Sequence, residues 1–329
     1  MAAFTSEEII QATGARLLKP AASVSFSDVC TDTRVIAKGS LFVAFKGTSF
    51  NGHDFVDKAL AAGAAGAVVS EVRPEYEGLT APIFVAADTL KAYQDLARFH
   101  RRRFAIPVVA VTGSVGKTST RNMIATVLSE KYRVLQTEKN FNNEIGVPKT
   151  LLQLTPDHEA CILEMGMRGL GQIAELAAIG EPTIGVVTNV GKSHIELLGS
   201  QENIAKAKAE LVQALDEKGT AVLNGDDPFV RPMTALCKGK TVFYGTDDQA
   251  AVRADHIVCD QQGVRFHCSG AGQSFDVSVP VIGGHKVYNA LAAIAVGQLT
   301  GLSAAEIQRG LASYHGMAMR QELLHIGPY

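Results

Sequence analysis

VVAVTGSVGKTSTRN, residues 108–122, sets a short glycine-spaced loop between an apolar run and a helical pattern. The usual phosphate-binding loop reads G-x-x-x-x-G-K-[ST]. Here two residues separate Gly113 from Gly116, and Val111 stands where the first glycine belongs. The context still favours phosphate. An apolar strand at 108–111 enters the loop and a helix at 119–131 leaves it. That order aims backbone N–H groups and the positive end of a helix at an anion. Gly113 and Gly116 allow close backbone approach, and Ser114, Val115 and Ser119 complete the loop. Lys117 has the reach for β- and γ-phosphates, and the Thr118 hydroxyl suits Mg2+. The competing reading is a glycine-rich turn with a surface lysine, which the tripeptide G-K-T alone does not exclude.

The surroundings extend this reading. Short apolar strands at 108–112, 133–137, 160–165, 183–188, 220–224 and 241–244 alternate with helical patterns. Such alternation predicts a parallel sheet covered on both faces. AVRADHIV, GVRFHC and SFDVSVP then read as a short antiparallel extension, followed by helices at 285–299 and 303–313. Upstream, residues 1–86 read as a small α/β unit. Thr5 with Glu8 forms a capping box that starts a helix; strands follow at 40–45 and 65–69, with a helix at 54–64 between them. An amphipathic helix at 89–104 leads into the next domain. The expected fold is α/β: an N-terminal domain over 1–86, a P-loop ATPase-type sheet domain over 87–320, and the start of a further strand over 321–329.

Composition bounds the function. The chain has 329 residues, 47% hydrophobic, with Lys+Arg 31 against Asp+Glu 33. That suits a globular protein and offers no polyanion-binding surface, so nucleic acid is excluded as a partner. The basic run Arg101–Arg103 reads as a solvated helix end. Five cysteines without a C-x-x-C pair argue against a disulfide framework or a zinc site. The N-terminus lacks the pattern of a signal peptide, and no apolar run approaches membrane-spanning length. A cytoplasmic monomer is expected.

Ligands of open parallel sheets bind at the carboxyl ends of the strands. Several polar residues gather there. Glu164 ends CILE and reads either as a Mg2+ ligand or as a strand-end carboxylate in a surface salt bridge. TNVGKSHIELLGS carries Asn189, His194 and Glu196; His194 is either a metal ligand or a capping residue. LNGDDP offers Asn224, Asp226 and Asp227, or a plain Asx turn. In SQENIAKAKAELVQAL, Lys208 lies on the stripe of Ile204, Leu211 and Leu215. A lysine there is either neutralised or paired, or it snorkels to the edge of the stripe.

TEKNFNNEIGVPKTLL, LEMGMRGLGQIAELAAI, GVVTNVGKSHIELLGSQENIAKAKAEL, LNGDDP and GGHKVYNALAA, with TDTR and SLFVAFKGTSFNGHDF upstream, resemble the Mur ligase family over nearly the whole chain. The nearest branch adds D-alanyl-D-alanine to UDP-N-acetylmuramoyl-tripeptide. The resemblance accounts for the short loop, since the family uses G-x-x-G-K-[ST]. It implies ATP and Mg2+ as cofactors and an acyl phosphate formed on the tripeptide carboxylate. It assigns Lys117 and Thr118 to ATP and the first Mg2+, Glu164 to that ion and His194 to a second. Lys208 matches a lysine that many of these ligases carry as a carbamate. Asn289 matches an adenine contact, Arg320 a ribose and phosphate contact, and Asn142 and Asn143 a loop near the reacting carboxylate. Thr33, Arg34, Asn51 and Gly52 are candidates for the UDP-sugar side. Asn142–Asn143 and Asn51–Gly52 also read as turns.

The family carries a third, C-terminal domain that would begin near ELLHIGPY, so weak turnover is expected of this chain. Two other functions compete. One is a nucleotide-binding module without ligation, against which Glu164, His194 and Lys208 speak. The other is a sister ligase of folylpolyglutamate synthase type, against which the TDTR…GHDF domain speaks.

Overall fold

The structure, a computed structural model, describes residues 2–316. It comprises two units: residues 2–105 with Glu144–Pro156, and Ile106–Asn143 with residues 157–316.

The first unit holds a five-stranded sheet in the order 16–17, 83–85, 66–69, 40–43, 28–30, parallel except for the 16–17 edge. The helix Ser6–Thr13 starts on the expected capping box: Thr5 Oγ1 accepts from Glu8 N–H, and the Glu8 carboxylate accepts from Thr5 N–H. The helix expected over 54–64 divides into a 3-10 turn at Gly52–Phe55 and a helix at Val56–Ala61. The Asn51 side chain accepts from His53 N–H and tightens that first turn.

Two expectations are corrected here. The unit boundary lies after Ala105, not at 86. Helix Thr89–Arg101 buries Ala92, Tyr93, Leu96 and Ala97 within the first unit, and Tyr93 packs edge-on against Phe45 at 5.3 Å. Helix Gly146–Leu151 packs on this same helix, which draws 144–156 into the unit. The basic run is only in part a solvated helix end, since Arg102 and Arg103 are exposed but Arg101 is not. Arg101 is buried and donates to Phe104 O at 2.7 Å. Arg103 pairs with Glu8 at 2.8 Å and stacks over Phe4 and Phe99. Arg103 thereby fastens the helix end to the N-terminal segment by cation–π and charge contacts.

The second unit holds one nine-stranded sheet. Its strands are β1 (Val108–Thr112), β2 (Val134–Gln136), β3 (Ala160–Glu164), β4 (Ile184–Val187), β5 (Thr220–Asn224), β6 (Lys240–Gly245), β7 (Val252–Asp260), β8 (Gly263–Gly270) and β9 (Gln273–Val279). The order is β2-β3-β1-β4-β5-β6-β7-β8-β9. β1 to β7 are parallel, and β7, β8 and β9 are antiparallel. The expected extension is thus continuous with the parallel sheet, joined through Tyr244↔Val252 and Gly245↔Arg253.

The parallel strands are apolar along both faces because helices cover both. Helices α1 (Lys117–Leu128) and α4 (His285–Leu299) pack together, with α5 (Ala304–Ala312) against α1; α2 (Gln172–Gly180) packs on α3 (Gln201–Ala214). Val109, Val111, Met123, Ile124, Ile162, Val186 and Ile294 lie in one core. The chain reverses its winding around β1, whose neighbours are β3 and β4. That switch point is where a doubly wound sheet opens a crevice.

Candidate active site

The loop 113–118 crosses the end of β1 at this switch point. Its glycines are required by space and by dihedral. A Cβ on Gly113 would stand 1.9 Å from Thr188 Oγ1, and Gly116 has φ 84° with Asn289 Oδ1 only 3.2 Å from where its Cβ would be. Helix α1 begins at Lys117, two residues earlier than the sequence suggests, since left-handed Gly116 turns the chain directly into it. Lys117 and Thr118 therefore occupy its first turn, beside N–H groups that have no partner within the helix.

The loop is held from β4. Asn189 Oδ1 accepts from Val115 N–H at 3.0 Å, and its Nδ2 donates to Val115 O at 2.8 Å. Ser114 N–H donates to Asn189 O, and Thr188 Oγ1 donates to Val115 O, both at 3.0 Å. Lys117 Nζ donates to Gly113 O at 2.9 Å, which folds the side chain back over the loop. Replacing Asn189 by alanine removes both bonds to Val115. It is expected to weaken Mg-ADP binding about thirtyfold, at about 1 kcal/mol for each of the two lost bonds, while the thermal midpoint moves little. Fluorescent ADP titration beside a melting curve checks this; unchanged affinity would count against the clamp.

Glu164 ends β3, opposite Val111 of β1. It is 2% exposed, so it is not the surface salt bridge considered from sequence. Oε1 accepts from Asn142 Nδ2 at 2.9 Å, while Oε2 is buried without a hydrogen-bond partner and lies 3.4 Å from Arg121 Nη1. A buried carboxylate oxygen that no donor satisfies suits a hard cation. Among the described residues no three His, Cys, Asp or Glu side chains gather as a metal cage. Mg2+ fits this pattern, because it takes one or two carboxylates and fills its remaining positions with phosphate and water. Thr118, buried in the first turn of α1, and Glu164 are the residues that would hold it.

Lys208 is 2% exposed, so it does not snorkel. Burial, and secondarily the positive charge of Lys117, push its amine down to about 7. Lys208 thus faces the phosphate loop from α3. His194 stands in the left-handed region (φ 64°) at the start of the short helix Ile195–Leu198, with an exposed side chain. It occupies the capping position without a side-chain cap bond. Asn289 is 6% exposed beneath the loop: Oδ1 accepts from Thr120 Oγ1 at 3.1 Å, and Nδ2 is buried without a partner. Asn143 is exposed next to Asn142.

LNGDDP is a set of Asx turns that also ties strand ends together. Asn224 Nδ2 donates to Thr188 O, and Asp227 Oδ2 accepts from Val190 N–H, both at 2.9 Å. Asp226 accepts from Thr246 N–H and from Tyr288 Oη. Burial pushes the Asp226 carboxyl up, but these donors together hold it below its ordinary value. Its neighbour Asp227 caps Phe229 and Val230.

The other candidates lie elsewhere. Asn51 and Gly52 form a structural corner of the first unit. Asn51 Oδ1 accepts from His53 N–H and from its ring Nδ1, and a Cβ on Gly52 would stand 2.6 Å from Phe45 O. Arg34 is exposed and paired with Asp32 at 2.6 Å, and Thr33 is half-buried in the same turn. Arg320 lies outside the described residues. Sequence reasoning missed Arg121. The signal was present: it lies four residues after Lys117, on the helix face that also buries Thr118 and Ala125.

The profile of the Mur ligase middle domain matches residues 111–297, and that of the Mur ligase family, catalytic domain, matches 25–101. The chain belongs to the Mur ligase family. Among curated Mur ligases, the UDP-N-acetylmuramoyl-tripeptide–D-alanyl-D-alanine ligase of Synechocystis sp. is 46% identical over 292 residues, covering 88% of this chain and 61% of that protein. The chain therefore spans less than two thirds of that Mur ligase. Among solved Mur ligases, MurF from Acinetobacter baumannii superposes with a TM-score of 0.92 at 29% identity, over 100% of this chain and 72% of that one. MurF from Thermotoga maritima in complex with ADP superposes with a TM-score of 0.81 at 28% identity, over 90% and 67%. Among the described residues of this Mur ligase chain, no helix is long and apolar enough to cross a membrane.

Proposed function

We propose that this chain supplies the nucleotide- and UDP-peptide-binding machinery of an ATP-dependent ligase that joins D-alanyl-D-alanine to UDP-N-acetylmuramoyl-tripeptide. The observation that carries the reading is the convergence of Lys117, Thr118, buried Glu164 and buried Lys208 on one strand-end crevice. A binding module can use the loop and a carboxylate that holds Mg2+; it has no use for a buried lysine beside them. The similarity to ligases of this branch, including one bound to ADP, supports the choice of substrates.

In this reading the phosphates of ATP lie on the loop and the N-terminus of α1. Lys117 carries charge to the transferring phosphoryl group, where positioning and neutralisation supply most of the rate. Bound Mg2+ supplies Lewis-acid neutralisation there, held by Thr118 and Glu164. Asn142 fixes Glu164 through Oε1, and His194 is proposed to serve a second ion. Asn289, with its unsatisfied Nδ2, is proposed for the adenine. Arg320 is proposed for the ribose and phosphates of ATP, and Asn143 with the UDP-side residues Thr33, Arg34, Asn51 and Gly52 as substrate contacts, the last two by shaping their corner.

Lys208 is proposed to carry a carbamate. An amine near 7 is substantially unprotonated at neutral pH, and a neutral amine adds to CO2 with release of one proton. The product is an anion beside Lys117, which relieves the repulsion between two cations. Fluorescent ADP titration with and without Mg2+ tests the nucleotide part: tighter binding with Mg2+, lost in Glu164→Gln, is expected. Binding indifferent to both would overturn it. Labelled bicarbonate should give a carbamate carbon signal that disappears in Lys208→Arg.

A further inference from the structure

Arg121 is absent from every role assigned above, yet its Nη1 lies 3.4 Å from Glu164 Oε2, the oxygen that has no hydrogen-bond partner. Its side chain and that of Glu164 are 2% and 3% exposed. The guanidinium is not laid flat on the carboxylate as a bidentate pair would be. Nε and Nη2 donate to Asn122 Oδ1 at 3.1 and 2.8 Å, and Nη1 donates to Lys139 O at 3.3 Å. These acceptors hold the guanidinium back, and Nη1 stops 3.4 Å from Oε2.

Resting on the reading of Glu164 as a magnesium ligand, we propose that Arg121 is a positioning residue: a standing counter-charge that accompanies Glu164 when no metal is bound and stands off far enough to leave Oε2 open. Two consequences follow from electrostatics. Without metal, a buried carboxylate stripped of its counter-charge is strongly destabilising. With metal, the guanidinium is a like charge close to the ion and weakens its hold. The residue thereby keeps the cation exchangeable, so that it comes and goes with the nucleotide, while the site survives its departure.

The test measures Mn2+ affinity by electron paramagnetic resonance at saturating ADP, and thermal midpoints with and without Mn2+. The proteins are the unsubstituted chain, Arg121→Met, Arg121→Lys and Glu164→Gln. Arg121→Met is expected to bind Mn2+ about tenfold more tightly, and to melt lower in metal-free buffer with the deficit removed by Mn2+. Arg121→Lys, which keeps the charge, should bind Mn2+ like the unsubstituted chain. A purely structural arginine gives a different result: Arg121→Met melts lower whether or not Mn2+ is present, and its Mn2+ affinity is unchanged or weaker. That result overturns the proposal. If Glu164→Gln binds Mn2+ as tightly as the unsubstituted chain, the magnesium reading itself fails, and the proposal with it. If Arg121→Met does not fold, the double variant Arg121→Met/Glu164→Gln decides: it should fold, because neither charge is left alone, and its failure to fold overturns the proposal.

Discussion

Replacing Lys117 by alanine is expected to weaken Mg-ATP binding about a hundredfold and to leave the fold intact. Charge-assisted bonds from an ammonium to phosphate in a partly buried site are worth about 3 kcal/mol, which is about a hundredfold in affinity. The expectation of an intact fold follows from the partner. Lys117 Nζ donates to Gly113 O within its own loop. Calorimetric titration with Mg-ATP, beside a melting curve, checks both halves. A loss under about threefold would mean that the phosphates lie elsewhere. The same substitution has a second, independent signature. Lys117 is one of the two causes that depress the Lys208 amine, after burial, so its removal should move that amine upward.

Lys208→Met is expected to stabilise the chain at pH 6 in CO2-free buffer and to lose that advantage by pH 10. The usual lysine value is 10.5, and the folded chain holds Lys208 at about 7. Between those values the unfolded chain binds more protons than the folded one, so stability rises with pH across the window. Below about 7 both states are protonated and the full cost of burying the ammonium is present. The interval corresponds to a ceiling of about 5 kcal/mol. Methionine fills the same volume without charge, so it removes the cost at pH 6. At pH 10 the native amine is already neutral in the fold, and little difference remains. Urea unfolding at both pH values measures this. Destabilisation at both would show that the amine is charged and well paired inside the protein. In bicarbonate buffer the advantage at neutral pH should shrink, because the proposed carbamate replaces the unfavourable cation with an anion beside Lys117.

Local chemistry made much of this molecule legible. Thr5 with Glu8 predicted the start of a helix to the residue, because a capping box is complete within four positions. The strand–loop–helix order around Gly113 and Gly116 is met by the strand Val108–Thr112 and the helix Lys117–Leu128, because such an order is a local feature. Pairings distant in sequence were harder to read. The β7–β9 strands read as an antiparallel extension, but how they attach was not legible, since only two residue pairs at Tyr244–Gly245 join them to the parallel sheet. The helix at 89–101 was assigned to the wrong unit because amphipathicity shows that a face is buried, not against what. Lys208 shows the same limit: periodicity placed it on the stripe, and only packing decided between burial and snorkelling. Arg121 was missed for a related reason. An arginine on a helix is ordinarily solvated, and its burial depends on Glu164, forty-three residues away in sequence.

The central claim is that the chain binds a UDP-linked peptide as well as a nucleotide, and one measurement addresses it directly. The chain is titrated calorimetrically with UDP-N-acetylmuramoyl-tripeptide in the presence of Mg-ADP, with tetrahydrofolate as the comparison ligand. Saturable one-to-one binding of the UDP-tripeptide, with no heat from the folate, is the predicted result. Binding of tetrahydrofolate without binding of the UDP-tripeptide would contradict the account and assign the chain to a sister ligase with a different acid substrate.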